Sequence, residues 1–293
     1  MTSLGLPFQG KIRYYVESSY GVCSDPTAAG KPISVKVLDA RPGVGDLHKK
    51  LRGIDKPEAD ILLRQCTDHT LHLEYIPQVG DTLFSDAVIR DGTCALKSLT
   101  FYLVTNACKG SDQTTYKICG SKCKSCRVSS SHNTEYMYVM DFSVKSIVTS
   151  STVLGSFPSP LAGDICAFNI AGSITKGGTE IAYITNSIDL TIDNGIKDRW
   201  DHDSLVKQFA IESELNIEGS CDISLDEGGG KHFGDVLNQT DFTIVMNLGG
   251  AGAPKITLAK CKWKSSEPDV NISGDDMKES APFTGTTIAY STV

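Results

Sequence analysis

Ser187-Ile188-Asp189-Leu190-Thr191-Ile192 alternates polar and apolar side chains, the period-two pattern of a strand with one face in a core and the other in water. The same alternation runs through Lys11-Ile12-Arg13-Tyr14-Tyr15-Val16, Ser34-Val35-Lys36-Val37-Leu38 and Thr70-Leu71-His72-Leu73-Glu74-Tyr75. It recurs in Glu135-Tyr136-Met137-Tyr138-Val139-Met140 and in Glu214-Leu215-Asn216-Ile217-Glu218. Clusters of Gly, Asn, Asp and Ser punctuate these runs, as turns between strands require. Helical periodicity is confined to Asp81–Arg90 and to Gly234–Asn238 with its flanks. The chain is therefore expected to be mainly β, with one short helix in each half.

The opening stretch has a counterpart upstream. Ile33–Asp39 reads like Ile188–Asp193, and Thr70–Glu74 like Glu214–Glu218. A helix-like piece and an apolar strand follow in each half, Leu99–Val104 and Asp241–Met246, then Lys122-Cys123-Lys124 and Lys260-Cys261-Lys262, then the segments beginning at Met140 and Pro282. A repeat of this length implies two tandem units rather than a solenoid. The seam is Leu154–Gly163, with two prolines and two glycines in ten residues, the composition of a linker. The expected division is 1–153 and 154–293. The offset between the halves falls from 155 at Ile33 to 138 at Cys123, so the first copy holds about 17 extra residues. The polar stretch Arg41–Lys56 is the expected place for them.

Composition excludes several functions. The 293 residues are 40% apolar and 22% charged, enough to build a core. The net charge of −7 argues against a nucleic-acid-binding surface, which needs cations to displace counterions from phosphate. It is unevenly spread: residues 1–150 hold 18 Lys and Arg against 15 Asp and Glu, whereas residues 151–293 hold 10 against 20. No apolar run is long enough to span a membrane. Met1–Gly10 lacks the basic and apolar segments of a secretory signal, so a soluble protein made in the cytoplasm is expected. There the ten cysteines should stay reduced and act mostly as small apolar residues.

The motifs that carry chemistry are weak. Cys108, Cys119, Cys123 and Cys126 are the best candidate for a metal, a structural zinc, but their spacing is not that of paired Cys-x2-Cys ligands. Cys66, His69 and His72 would share a face only on a helix, and the pattern there is that of a strand. Gly228-Gly229-Gly230-Lys231 continues with His232 where a phosphate loop needs Ser or Thr. The acidic loop of Asp198, Asp201 and Asp203 lacks the order of a calcium loop. No enzyme and no cofactor are expected.

The order of elements carries the resemblance, chiefly in the second half. Ile188 to Trp200 is followed by the β-rich stretch Lys207–Leu225, a short helix, Phe242-Thr243-Ile244-Val245-Met246, Lys260-Cys261-Lys262 and a closing Ile272–Ile288. In the first half Tyr116–Cys126 precedes a Met-rich strand. The chain resembles the major tail tube proteins of long-tailed bacteriophages and archaeal tailed viruses. That resemblance implies two β-sandwich or half-barrel units, each with a flanking helix and a long hairpin that joins a continuous barrel. Two units per chain imply a trimeric ring with pseudo-sixfold symmetry, and stacked rings form a tube that guides viral DNA into the host. The implied setting is the virion tail, assembled in the host cytoplasm. The implied partners are further copies of the chain, tail terminator and tail-tip proteins, and the tape-measure protein and DNA held without tight binding in the lumen, with no membrane insertion. Glu74, Asp81, Glu212, Glu214, Glu218 and Asp222 are the expected lumen-facing acids. Arg41, Lys49, Lys50 and Arg52 are the expected contacts to the next ring. The rival readings are the inner tube of a contractile injection machine, a β-sandwich adhesin or carbohydrate-binding module, and a zinc-dependent enzyme.

Overall fold

In the computed structural model, residues 10–23, 30–45, 48–52, 59–64, 66–105, 113–131, 134–151, 157–167, 173–176, 179–180, 184–201, 204–224, 233–265 and 278–292 are described. The protein is mainly β. In chain order the first half forms β1 (Lys11–Val16), β2 (Lys31–Pro32), β3 (Val37–Val44), β4 (His48–Arg52), β5 (Ala59–Arg64), β6 (His69–Tyr75), α1 (Leu83–Ala87), β7 (Leu99–Thr105), β8 (Thr114–Ser131), β9 (Met137–Val144) and β10 (Ser146–Ser150). The second half forms β11 (Ser173–Lys176), β12 (Thr179–Glu180), β13 (Ile184–Asp193), β14 (Lys197–Trp200), β15 (Lys207–Ile211), β16 (Asn216–Ser224), β17 (Phe242–Asn247), β18 (Pro254–Trp263), β19 (Lys278–Gly285) and β20 (Thr287–Thr292). A short helix over 233–238 takes the place that α1 holds in the first half.

The pairing scheme occurs twice. In the first half β2 pairs β1, β1 pairs β7, β7 and β10 both pair β8, β8 pairs β9, β9 pairs β6, β6 pairs β3, and β4 pairs β5. The second half repeats every one of these links, from β11–β12 through β14–β15. Even the irregularities recur: the ladder slips between Leu99 and Phe101 as it does between Phe242 and Ile244, and between Leu51 and Arg52 as between Arg199 and Trp200.

These registers correct the correspondence read from sequence. Phe142 faces Leu71 and Cys123, and Phe283 faces Gly219 and Trp263. Cys123 is thus the counterpart of Trp263, while Cys261 matches Ser121, which faces Leu99 as Cys261 faces Phe242. Pro42 faces Leu71 and Leu190 faces Gly219, and Ile61 faces Leu51 as Phe209 faces Arg199. The spacing between counterparts is therefore constant from β3 to β6, and Arg41–Lys56 contains no insertion. The larger part of the extra length lies between β1 and β2. Tyr14 pairs with Lys31 in the first half, whereas Lys176 pairs with Thr179 in the second. A short Lys-Cys-Lys match misled the alignment because alternation makes strands look alike at any even slip.

That β1–β2 insertion is held by two devices. Cys23 is disulfide-bonded to Cys119 of β8, with Cα atoms 5.3 Å apart. The buried Glu17 carboxylate accepts hydrogen bonds from Thr100 Oγ1 (2.6 Å), Ser98 Oγ (2.6 Å), the Gly120 amide (2.8 Å) and the Gly21 amide (2.8 Å). The disulfide corrects the expectation of reduced thiols throughout. Its partners are separated by 96 residues, and only the fold brings them together.

One sheet crosses both halves. β3, β6, β9 and the C-terminal part of β8 continue directly into β13, β16 and β19. The junction is β8 against β13, from Ser125 opposite Asp193 to Ser131 opposite Ser187. On the inner side Leu71, Leu73, Met140, Phe142, Val128, Leu190, Ile192, Ile217 and Phe283 are buried in a core cluster that draws on both halves. Burying each such side chain contributes about 1.5–3 kcal/mol. The cluster is capped by rings in contact: Phe101 on Phe142 at 5.1 Å, Phe84 on Tyr138 at 5.1 Å, and Phe242 stacked on Trp263 at 4.6 Å. Phe84 of α1 also meets Tyr290 of β20 at 5.8 Å, and the Tyr290 hydroxyl donates to the Asp81 carbonyl at 2.9 Å, tying the ends of the two halves together. Among the described residues no helix is long and apolar enough to cross a membrane.

Candidate functional site

Alternation along the shared sheet turns its other face outward, and that face is mostly polar, with Met137 and Val139 of β9 as apolar exceptions. Because Leu71, Leu73 and Tyr75 point inward, His72 and Glu74 point out; the same logic exposes Asp141 on β9, Arg127 on β8, Asp189 and Asp193 on β13, and Glu218 and Asp222 on β16. On β3, Asp39 and Arg41 stand opposite Glu74 and His72. Acids still outnumber bases: Asp39, Glu74, Asp141, Asp189, Asp193, Glu218 and Asp222 are met, among the described residues, by Arg41, Arg127, Lys264, Lys262 opposite Thr284 and, by register, Lys278 opposite Ser224. None of the described residues on this face is aromatic.

The bases are held by cross-strand ion pairs. Arg127 binds Asp189 through its Nε at 2.9 and 2.8 Å and through Nη2, bridging β8 and β13. Lys264 Nζ meets Glu218 at 2.7 Å, and this contact holds the Glu218 carboxyl below its usual range. These four side chains line a shallow groove. The Asp189 pair bridges the junction between the halves; as a pair in water it contributes about 0.5 kcal/mol, so it sets register more than stability.

Asp39, His72 and Glu74 lie close enough to gather around one cation. Two of the three are already engaged: His72 Nδ1 is 2.8 Å from Asp141 Oδ1, and Asp39 is 2.6 Å from Arg41 Nε. The cluster is an interstrand network. The four cysteines that were the weak candidate for zinc do not act as one set. Cys119 is in the disulfide with Cys23, Cys123 and Cys126 are buried with thiols pushed up by desolvation, and Cys108 lies outside the described residues. A buried thiol raised in this way stays protonated and is a poor metal ligand.

The β14–β15 hairpin straps the second half onto the first. Lys207 is fully buried, with its ammonium 2.8 Å from Asp198 Oδ2, 2.6 Å from Ser143 Oγ and 3.2 Å from Asp68 Oδ1. Ser143 Oγ in turn donates to Asp198 Oδ1 at 2.6 Å. Beyond the hairpin, Lys122 Nζ binds Glu212 Oε1 at 2.6 Å, the Leu96 amide donates to the same oxygen at 3.1 Å, and Arg90 donates to the carbonyls of Ser213 (3.0 Å) and Asn194 (2.9 Å). The Thr67 amide donates to the Leu205 carbonyl at 2.7 Å.

The expected lumen acids therefore separate into groups. Glu74, Glu218 and Asp222 share the polar face. Glu214 is exposed in the segment leading into β16. Glu212 belongs to the strap, where Lys122 and the Leu96 amide hold its carboxyl below the usual range despite partial burial. Asp81 lies in the core beside α1, accepting from the Leu83 amide at 2.8 Å, and burial pushes it up to about 7. Arg41 is in β3, apart in the fold from Lys49, Lys50 and Arg52, which are in β4. Sequence reasoning did not single out Arg127, Asp189, Asp193, Asp141 and Asp39; alternation around the recognised apolar runs was the signal that marks them. Nothing local marked the buried Lys207, which occupies a strand position that reads as solvated. No protein-family model matches this chain, and no curated protein matches it.

Proposed function

We propose that this chain is a structural subunit of a hollow tube, the tail tube of a tailed virus, that closes into trimeric rings of six like units and guides DNA along its lumen. The observation that carries the reading is the continuous sheet built from two identical pairing schemes, with β3 unpaired on its outer side among the described residues. A head-to-tail interface repeated at that edge generates a ring or a helix, and closure removes the edge that would otherwise invite uncontrolled pairing. A largely polar face with more acids than bases, and without rings among the described residues, suits a lumen for a sliding polyanion, because Arg41, Arg127, Lys262 and Lys264 are each engaged by a carboxylate and bases find no rings on which to stack. On this reading Asp39, Glu74, Asp141, Asp189, Asp193, Glu218 and Asp222 line the channel, and the subunit does no chemistry of its own.

Electron microscopy of the untagged protein over a range of concentrations tests this. Hollow particles with three chains and six similar lobes per ring are the expected result. Compact monomers or closed dimers without a channel at every concentration would sink it.

A further inference from the structure

Inside the chain the last strand of the second half lies on the helix of the first half, while the reciprocal helix and strand are left bare. We propose that a second copy supplies the missing partner: β10 of one copy docks on the helix over 233–238 of the other, with Thr149 against Phe233 and Leu237. This inference rests on the ring reading above and names the contact that would join successive chains.

The template is α1, on which Tyr290 of β20 meets the Phe84 ring at 5.8 Å and donates to the Asp81 carbonyl at 2.9 Å. Contacts and registers identify the counterparts. Tyr14 faces Lys31 and Phe101 as Lys176 faces Thr179 and Ile244. The Tyr14 hydroxyl donates to Asp86 Oδ2 at 3.0 Å, and Lys176 Nζ binds Asp235 Oδ2, so Asp235 is the counterpart of Asp86. Phe233 then stands where Phe84 does, two residues before the acid, and Leu237 where Val88 does, two residues after it. On the strand side, Thr149 faces Tyr116, which faces Leu103; Tyr290 faces Ile256, which faces Met246. Thr149 is therefore the counterpart of Tyr290.

Equivalent positions differ in their cover. Phe84 is 1% exposed and Val88 0%, whereas Phe233 is 49% exposed and Leu237 68%. One turn apart, Phe233 and Leu237 share a face of the helix, while Asp235 is held by Lys176 of β11 and Val236 packs against the core. Thr149 is likewise exposed, whereas Tyr290 is half-buried. Large apolar side chains that are dry in one half and bare at the same place in the other are what a missing neighbour would cover. The sizes suit each other: Leu237 is larger than Val88 and replaces part of the bulk that Thr149 lacks relative to Tyr290.

A second bare surface lies on the side of the first half that would meet the other copy. Inside the chain, β13 and β20 both face the first half, and their counterparts are β3 and β10. Val44 on β3 is 54% exposed, whereas its counterpart Ile192, covered by the junction with β8, is 0% exposed. Strand and helix are unlike surfaces on opposite halves of the chain, so the contact is heterologous. Repeated from copy to copy, it closes a ring or winds a helix, whereas a twofold dimer would set like surfaces together.

The test places a charge on each side of the contact in the full chain, read by sedimentation and electron microscopy. Leu237→Glu should raise the concentration for half-assembly at least about tenfold, and Thr149→Lys should raise it as well, with monomer melting unchanged in both. The double variant should move it back toward the native value, because the two charges then meet across the contact. Rings that form in either single variant as they do in the native chain would overturn this contact while leaving the tube reading standing. A double variant that melts normally yet assembles no better than Leu237→Glu would also overturn it. So would a lower melting temperature of monomeric Leu237→Glu, which would put the helix under a segment of its own chain. A native chain that stays monomeric at every concentration would overturn both.

Discussion

Gly120 and Lys260 occupy the same place in β8 and β18, and both have left-handed backbones, with φ of 66° and 50°. The residue differs because the surroundings differ. A Cβ on Gly120 would lie 2.5 Å from Lys145 Cβ and 3.2 Å from Gly21 Cα of the β1–β2 insertion. In the second half only two residues separate Lys176 of β11 from Thr179 of β12, so no insertion of that length is present. Gly120→Ala should therefore lose about 2 kcal/mol or more, strain and clash together. Lys260→Gly should gain up to about 1 kcal/mol by relieving the left-handed strain. Denaturant midpoints of the two variants check this; shifts of opposite sign, the loss larger than the gain, are the expected outcome.

The insertion itself should open as a unit. Replacing Cys23 and Cys119 by Ser removes a covalent tie and should cost about 2–4 kcal/mol. Brief proteolysis should then cut within residues 17–23 before any other described segment. Glu17→Gln in the intact disulfide form should cost about 1–3 kcal/mol, since a carboxamide oxygen cannot satisfy the four donors that the carboxylate accepts.

Lys207→Met should strip the buried cation from the strap and leave Asp198 facing Ser143 uncompensated. Breaking one side of a buried pair costs about 3–5 kcal/mol. Part of that loss should show as independent melting of the two halves, which calorimetry would record as a broadened or split transition.

Asp81 makes stability depend on pH. Its folded value of about 7 lies above the unfolded one, about 3.9, so the folded state holds the proton more tightly. The resulting stabilisation is complete below about pH 4 and is lost as pH rises through about 7. Asp81→Asn removes that slope, and relative to the native chain it should gain about 4 kcal/mol between pH 4 and pH 8. Urea unfolding at the two pH values measures the difference directly.

Much of this fold was legible in the chain. The runs that became β1, β6 and β13, and the helices over Leu83–Ala87 and 233–238, were marked by period alone, because one face of each is buried. The doubled order of elements was legible as well. The register between the copies was not: Ile33–Asp39 read like Ile188–Asp193, yet Ala40, opposite Leu73, is the true counterpart of Ile188, opposite Cys221. That slip of seven is odd, because Ile33 precedes β3 and the ladder shifts between Val37 and Asp39; only hydrogen-bonded neighbours fix the count. The polar face follows from alternation once the apolar runs are placed, and Glu74, Glu218 and Asp222 lie together on it. Asp81 and Glu212 were misassigned because a carboxylate gives no local sign of whether a core or a strap will enclose it. The disulfide and the buried Lys207 each join segments far apart in the chain, and no spacing rule reaches that far.

The strand junction between the halves has a consequence for dilution. β8 and β13 belong to one polypeptide, so their pairing is held at the high effective concentration of a tether and is indifferent to how many molecules are in solution. In any ring made from this chain, every second contact is of that kind. Lowering the protein concentration can therefore release only whole chains, two lobes at a time, and a particle with an odd number of lobes should never be seen.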